Sequence, residues 1–92
     1  MTAAEKLRQE MANDAPFTKE EFINAISNRI KGSLSARACF ICDKHIRETK
    51  ITGGNTIRMS HEQTAIDFAT SEGFRVSYDY NSYGVRYIVF TI

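Results

Sequence analysis

Apolar positions change period along the chain, and the changes mark its elements. Between Ser60 and Glu72 the apolar residues Ala65, Ile66, Phe68 and Ala69 fall on one helical face. Ser60-His61-Glu62-Gln63 ahead of them has the capping-box pattern, a hydroxyl for a free helix N–H and a side chain three residues on that reaches back. Gly73 fits the left-handed position just past a helix end, and Phe74 is placed to pack back on Phe68. From Phe74 the period drops to two, interrupted by Asn81-Ser82-Tyr83-Gly84. Asn at the first position and Gly at the fourth favour a type I turn closed by a glycine bulge. That turn pairs Asn81 with Val85 and Tyr80 with Arg86, and so Tyr78 with Ile88, Val76 with Phe90 and Phe74 with Ile92. One face of the hairpin then reads Phe74, Val76, Tyr78, Ile88, Phe90 and Ile92, a core face. The other reads Arg75, Ser77, Asp79, Tyr87, Val89 and Thr91, a mixed face. A slip of one residue would turn the apolar set outward, which fixes the register.

Two more helices are predicted upstream. Thr18-Lys19-Glu20-Glu21 is a capping box, and Phe17 and Phe22 have the spacing of a hydrophobic staple. A helix from Lys19 follows, burying Phe22, Ile23, Ile26 and Ile30, with Gly32 as its stop in the left-handed conformation. Thr2-Ala3-Ala4-Glu5 is another capping box, but Ala4, Leu7 and Met11 form only a narrow stripe. This first helix ends by Asn13-Asp14-Ala15-Pro16, since proline disfavours helical geometry just before it, and it is expected to dock loosely.

Residues 33–50 fit two readings. As a helix, Leu34, Ala38, Ile41, Cys42 and His45 share a face; as a strand, Ala36, Ala38, Phe40 and Cys42 alternate with Arg37, Cys39 and Ile41. The triplet Phe40-Ile41-Cys42 tips the balance towards a strand. Gly53-Gly54-Asn55 signals a turn, and Thr56-Ile57-Arg58-Met59 reads as a short strand.

Ninety-two residues make one domain, and a chain of this size withdraws only about 60–65% of its unfolded surface from water. No apolar run is long enough to span a membrane, and Met1 to Glu10 lacks the apolar segment of a secretory signal. The expected location is the cytoplasm. The net charge of +1 is unevenly spread. Residues 1–28 hold three basic and five acidic groups, and residues 51–92 hold three and four. Residues 29–50 carry Arg29, Lys31, Arg37, Lys44, Arg47 and Lys50 against Asp43 and Glu48, the one basic tract. The two cysteines, Cys39 and Cys42, make no disulfide framework and fit a reducing compartment.

The candidate chemistry centres on the cysteine pair. Cys39 and Cys42 with His45 resemble part of a metal site, with His61 further along the chain. A second Cys pair or a His pair is missing, and on a strand the two thiols would face opposite ways. Buried structural cysteines are the simpler reading, and His61 is expected to face solvent. A redox role would need a helix N-terminus to lower a thiol pKa, and Asp43 stands where haem attachment requires His. No Gly-x-Ser-x-Gly, phosphate-binding loop or His-Glu-x-x-His occurs, so a non-catalytic protein without a cofactor is expected.

The basic tract offers a nucleic-acid alternative through Arg29, Lys31, Arg37, Lys44, Arg47 and Lys50, with hairpin tyrosines for stacking. A helix-turn-helix there is superficial, because Ser27, Lys31 and Ser33 flank the turn. Protein contact is the leading expectation. The last strand, if it lies at a sheet edge, leaves free backbone groups for a partner. Arg75, Asp79, Tyr83, Arg86, Tyr87 and Val89 are the candidate contact residues.

The tail from Ser60 to Tyr80, followed by Val85 to Ile92, resembles a pattern among small phage-encoded proteins that end in a helix, a Gly-Phe and a terminal hairpin. The resemblance covers about a third of the chain. It implies a phage origin and a small protein that acts by binding a host protein in the host cytoplasm. The expected architecture is a two-layer α+β domain: an antiparallel sheet ending in the hairpin 74–92, packed by helices near 19–31 and 61–72. Its expected role is protein interaction or self-association, with nucleic-acid binding or a structural metal at Cys39, Cys42 and His45 as alternatives.

Overall fold

A computed structural model describes residues 2–92, without the side chains of 11–14. The elements run α1 (Ala3–Asp14), α2 (Lys19–Gly32), β1 (Arg37–Ile41), a 3-10 turn (Met59–His61), α3 (Glu62–Ser71), β2 (Arg75–Tyr80) and β3 (Arg86–Thr91). The three strands form one antiparallel sheet in the order β1-β3-β2, and the helices complete the α+β fold expected from the pattern.

The hairpin register follows the predicted one: Tyr80 pairs with Arg86, Tyr78 with Ile88 and Val76 with Phe90. The turn does so for the stated reason. Asn81 N–H donates to Val85 O (3.1 Å), Gly84 N–H donates to Asn81 O (3.0 Å), and Gly84 has a φ of +78°. The Asn81 side-chain oxygen also accepts from the N–H groups of Tyr83 and Val85.

The last strand, however, is not an edge. β1 lies against its other side, pairing Ala38 with Phe90 and Phe40 with Ile88. The open edges therefore belong to β1 and β2, and residues 33–50 resolve into a strand at 37–41 rather than a helix. Ala36 enters that strand in the left-handed region, with a φ of +53°.

One layer of side chains joins sheet and helices. Phe22 and Ile26 of α2, Ala38 and Phe40 of β1, Ala65 and Ala69 of α3, and Ile88 and Phe90 of β3 are all fully buried. Both halves of the Thr18 capping box are formed, and Phe17 meets Phe22 with ring centroids 5.3 Å apart. Gly32 closes α2 without turning left-handed; the chain leaves through extended Ser33, whose N–H bonds Ile30 O. α1 is capped by the Thr2 hydroxyl (3.2 Å to Glu5 N–H), yet its residues 3–10 are exposed, Leu7 by 57%. Ala4 and Leu7 thus bury no stripe, and the Met11 side chain lies outside the described residues.

α3 starts differently from its sequence pattern. The capping box at Ser60 does not form; the helix begins at Glu62, after the 3-10 turn. Thr49, from the preceding loop, anchors the 3-10 turn instead: its hydroxyl accepts from Arg58 N–H (2.8 Å) and shares a hydrogen bond with His61 Nδ1 (2.8 Å). His61 is half-buried and edge-on to Phe17, not turned to solvent. At the other end Phe74 N–H reaches Ala69 O and Gly73 N–H reaches Thr70 O, with Gly73 at a φ of +84°, a Schellman ending. Phe68 turns onto Phe17 (5.9 Å).

Residues 42–58 hold no regular strand. The segment expected at 56–59 reduces to bridges of Thr56 with Ile41 and Lys50. Ile41 N–H donates to Asn55 O and Ile57 N–H to Ile41 O, so this loop covers one end of the β1 edge. Ile51 and Ile57 are buried beneath it.

Two glycines at helix ends should respond in opposite directions. Gly73→Ala forces a side chain into the left-handed region and should cost about 1 kcal/mol. Gly32→Ala, where a Cβ meets nothing within 4 Å, should be neutral or gain a few tenths, about the helix-propensity difference near a terminus. Urea unfolding of the two variants measures the contrast.

Candidate functional site

The candidate contact residues divide between two faces of the sheet. Arg75, Asp79, Tyr87 and Val89 lie on the side away from the core, in rows fixed by pairing: Arg37, Thr91 and Arg75; Cys39, Val89 and Ser77; Ile41, Tyr87 and Asp79. Arg37 and Asp79 stand at opposite corners of this grid, and their ion pair (3.6 Å) runs diagonally over its centre. The centre is Val89, which is 1% exposed on a face that α2 and α3 do not cover. Tyr87, Ile41 and Arg75 stay accessible on this face, while Val89 is shielded.

Arg86 lies on the core side. There its guanidinium pairs with both Glu62 oxygens, one at 3.2 Å, and stacks 4.3 Å from the Tyr78 ring centre. Cys42 donates to the same carboxylate at 3.6 Å. This cluster ties the hairpin to the start of α3. Burial pulls the Arg86 pKa down, but the Glu62 carboxylate more than offsets it and the net shift is upward. Burial, then the Glu62 charge, pushes the Cys42 thiol up to about 12. Burial and the Glu62 carboxylate also raise the Tyr78 phenol. The cluster holds the thiol neutral, the reverse of what a nucleophile needs.

Cys39 and Cys42 are free thiols. Cys39 sits half-buried on the back face and Cys42 in the core, so the strand separates them as the period of two requires. His45 is exposed, its N–H held by Asp43 Oδ1 (3.2 Å). Among the described residues, no group of three or more His, Cys, Asp or Glu could hold a metal ion.

The basic tract does not form one patch. Arg29 lies over the Phe40 ring (4.6 Å) and donates to Gly54 O, and its burial lowers its pKa. Arg37 is committed to Asp79, and Lys50 pairs with Glu48 (3.8 Å). Lys31 is exposed near the end of α2. Lys44 and Arg47 alone converge, and Arg58 joins them from outside the tract. With Ile46, Met59 and Ser60 they line a concavity of about 550 Å³. Lys44 and Met59 also line a second cleft of about 250 Å³ that continues to Cys42, Asp43, Gly84 and Arg86. Arg58 was invisible to charge counting along the chain because the long loop folds it back onto residues 44–47.

The free edge of β2 is the other exposed feature. Tyr78 is 46% and Tyr80 63% exposed, and Tyr83 at the hairpin tip is 90% exposed. The hairpin and β1 registers place the ladder bonds of β2 at its odd-numbered residues. The N–H and C=O groups of Val76, Tyr78 and Tyr80 therefore point outward. The Asp79 carboxylate takes Tyr80 N–H (2.9 Å).

No protein-family model matches the chain, and no curated protein or solved structure matches it either. No helix among the described residues is long and apolar enough to cross a membrane.

Two measurements probe the Glu62 cluster. Because the folded thiol titrates near 12 against an ordinary 9.0, the native state holds a proton that the unfolded chain releases. Stability is then full below about pH 9 and falls as pH rises towards 12. Cys42→Ala should flatten that decline in a series of unfolding experiments across this range. Native protein at pH 8 should show one thiol, Cys39, reacting far faster than the other, with both reacting equally in denaturant. Separately, Glu62→Gln leaves Arg86, only 26% exposed, without its counter-charge, and should cost about 2 kcal/mol in urea unfolding, below a fully buried pair.

Proposed function

We propose that the protein is a small non-catalytic interaction module that adds an extended segment of a partner protein to the free edge of β2. The observation that carries this reading is the edge itself. Six residues, Arg75–Tyr80, pair on one side only, with Val76, Tyr78 and Tyr80 turning backbone groups outward. Strand addition draws affinity from such groups and specificity from alternate side chains. Folded domains usually blunt an edge of this kind; here the local blunting is the Asp79 contact with Tyr80 N–H. Tyr78 and Tyr80 add exposed rings with few torsions to immobilise, a composition favoured at interfaces. The tail's resemblance to small phage-encoded proteins points to a host protein as the partner.

Self-association through the same edge has a specific register. Antiparallel pairing centred on Ser77 sets Arg75 of each copy opposite Asp79 of the other, and sets outward-directed Val76 against Tyr78. Opposite charges at directly facing positions favour that register.

The test is affinity capture combined with sedimentation of the purified protein. Tyr80→Lys, at a site 63% exposed, should leave folding intact and weaken the captured partner about tenfold or more, the scale of an interface anchor. If self-association dominates, Arg75→Asp should lower the dimer fraction and the added exchange Asp79→Arg should restore it. Protein that retains no partner and sediments as a monomer at high concentration overturns the reading, as does capture indifferent to Tyr80→Lys.

A further inference from the structure

We infer that the concavity formed by Lys44, Arg47 and Arg58 binds the phosphate groups of a single-stranded nucleic acid, with Tyr83 offering a stacking face beside the adjoining cleft. The inference begins with the long loop. Seventeen residues, 42–58, separate β1 from the 3-10 turn without regular structure, and ordered loops of that length are usually functional.

The loop is held in place at several points. Lys50 and Thr56 exchange backbone hydrogen bonds (2.9 and 3.1 Å), the Thr56 hydroxyl donates to Glu48 O, and Ile51 and Ile57 anchor it in the core. Thr49 fixes the Arg58 backbone through its N–H. What this scaffold presents is three cations on one concavity: Lys44 and Arg47 from its first half, Arg58 from its end.

Several other cations in the chain are already committed. Lys19, Arg37, Lys50 and Arg86 each face a carboxylate, and Arg29 is spent on Phe40 and Gly54 O. Among the described residues Lys44, Arg47 and Arg58 have no carboxylate within ion-pair distance, and no acidic residue lines the concavity they share. Three like charges brought together without a counter-charge repel one another. A fixed loop that gathers them has a ready partner in an anion with several acceptor oxygens. The exposed Ser60 hydroxyl supplies a neutral donor at the same wall.

The shape favours a chain over an isolated ion. The concavity, about 550 Å³, is far larger than one phosphate, and it continues through Lys44 and Met59 into the cleft lined by Gly84. Tyr83, the residue before Gly84, is 90% exposed. Cationic grooves beside exposed aromatic rings suit single strands, whose bases are free to stack. Asp43, at the far cleft, and Glu48, paired with Lys50, limit the positive field to the concavity. The interaction is therefore local rather than the broad attraction of a strongly basic protein.

Fluorescence anisotropy with labelled ten-nucleotide single strands tests this, with inorganic phosphate and a phosphoserine peptide as comparison probes. The expected result is saturable oligonucleotide binding that weakens about 20-fold between 50 and 200 mM salt, the slope for roughly three phosphate contacts on a single strand. Arg58→Glu with Lys44→Glu should abolish binding, Tyr83→Ala should weaken it about tenfold, and Lys6→Glu on exposed α1 should leave it unchanged. Circular dichroism checks that each variant stays folded. Binding that survives the double reversal, tighter binding of the phosphoserine peptide, or response to inorganic phosphate alone overturns the inference.

Discussion

Three phenylalanine rings from three different elements hold the two layers of this domain together. Phe22 of α2, Phe40 of β1 and Phe90 of β3 form a closed triangle, with centroids 5.9, 5.2 and 5.9 Å apart and every ring fully buried. Two of the three contacts are edge-on, the arrangement that aromatic quadrupoles favour. Truncating one such ring typically costs about 3–5 kcal/mol, a large share of the roughly 5–15 kcal/mol that a small domain has in total. The triangle also fixes register. A one-residue slip of β3 would replace Phe90 with Val89 or Thr91 and withdraw one corner from the other two.

What the sequence made legible was local. The Thr18 box, the Phe17–Phe22 staple, the Gly73 ending and the bulged turn at Gly84 each lie within six residues, and each formed. Ser60 shows the limit of the same logic. Its pattern is as good as that of Thr18, but the 3-10 turn Met59–His61 takes its place, and the helix starts at Glu62, one residue later than that box would set it. The place of β3, left open between an edge and a covered strand, rests on a different signal. Its run Tyr87-Ile88-Val89-Phe90 is apolar on both faces, whereas β2 alternates charged or polar with apolar residues. An unbroken apolar run is the mark of a strand with neighbours on both sides, and an alternating one suits an edge. That difference was already present in the hairpin.

The candidate sites were harder to read because linear and spatial proximity diverge where the chain is irregular. The basic tract is a cluster only along the sequence. Folding sends Arg29 to an aromatic ring, Arg37 across the back of the sheet and Lys50 to Glu48, then brings Arg58 to Lys44 and Arg47. The pairing of Glu62 with Arg86 spans 24 residues. No periodicity encodes such contacts; they appear once the sheet order places the hairpin beside the start of α3.

The core and the exposed surface draw on different atoms of the same strands. The inward residues of β1 and β3 are committed to the core, and even the central back-face residue, Val89, is shielded. What remains available is the outward backbone of β2 and the cations of the 42–58 loop, neither of which the phenylalanine triangle needs. Substitutions there lie where surface changes usually shift stability by less than about 0.5 kcal/mol. A domain with so thin a core can vary its exposed surface at little cost only under that separation. Arg86 marks the boundary, because it belongs to the hairpin yet is held by Glu62 of α3.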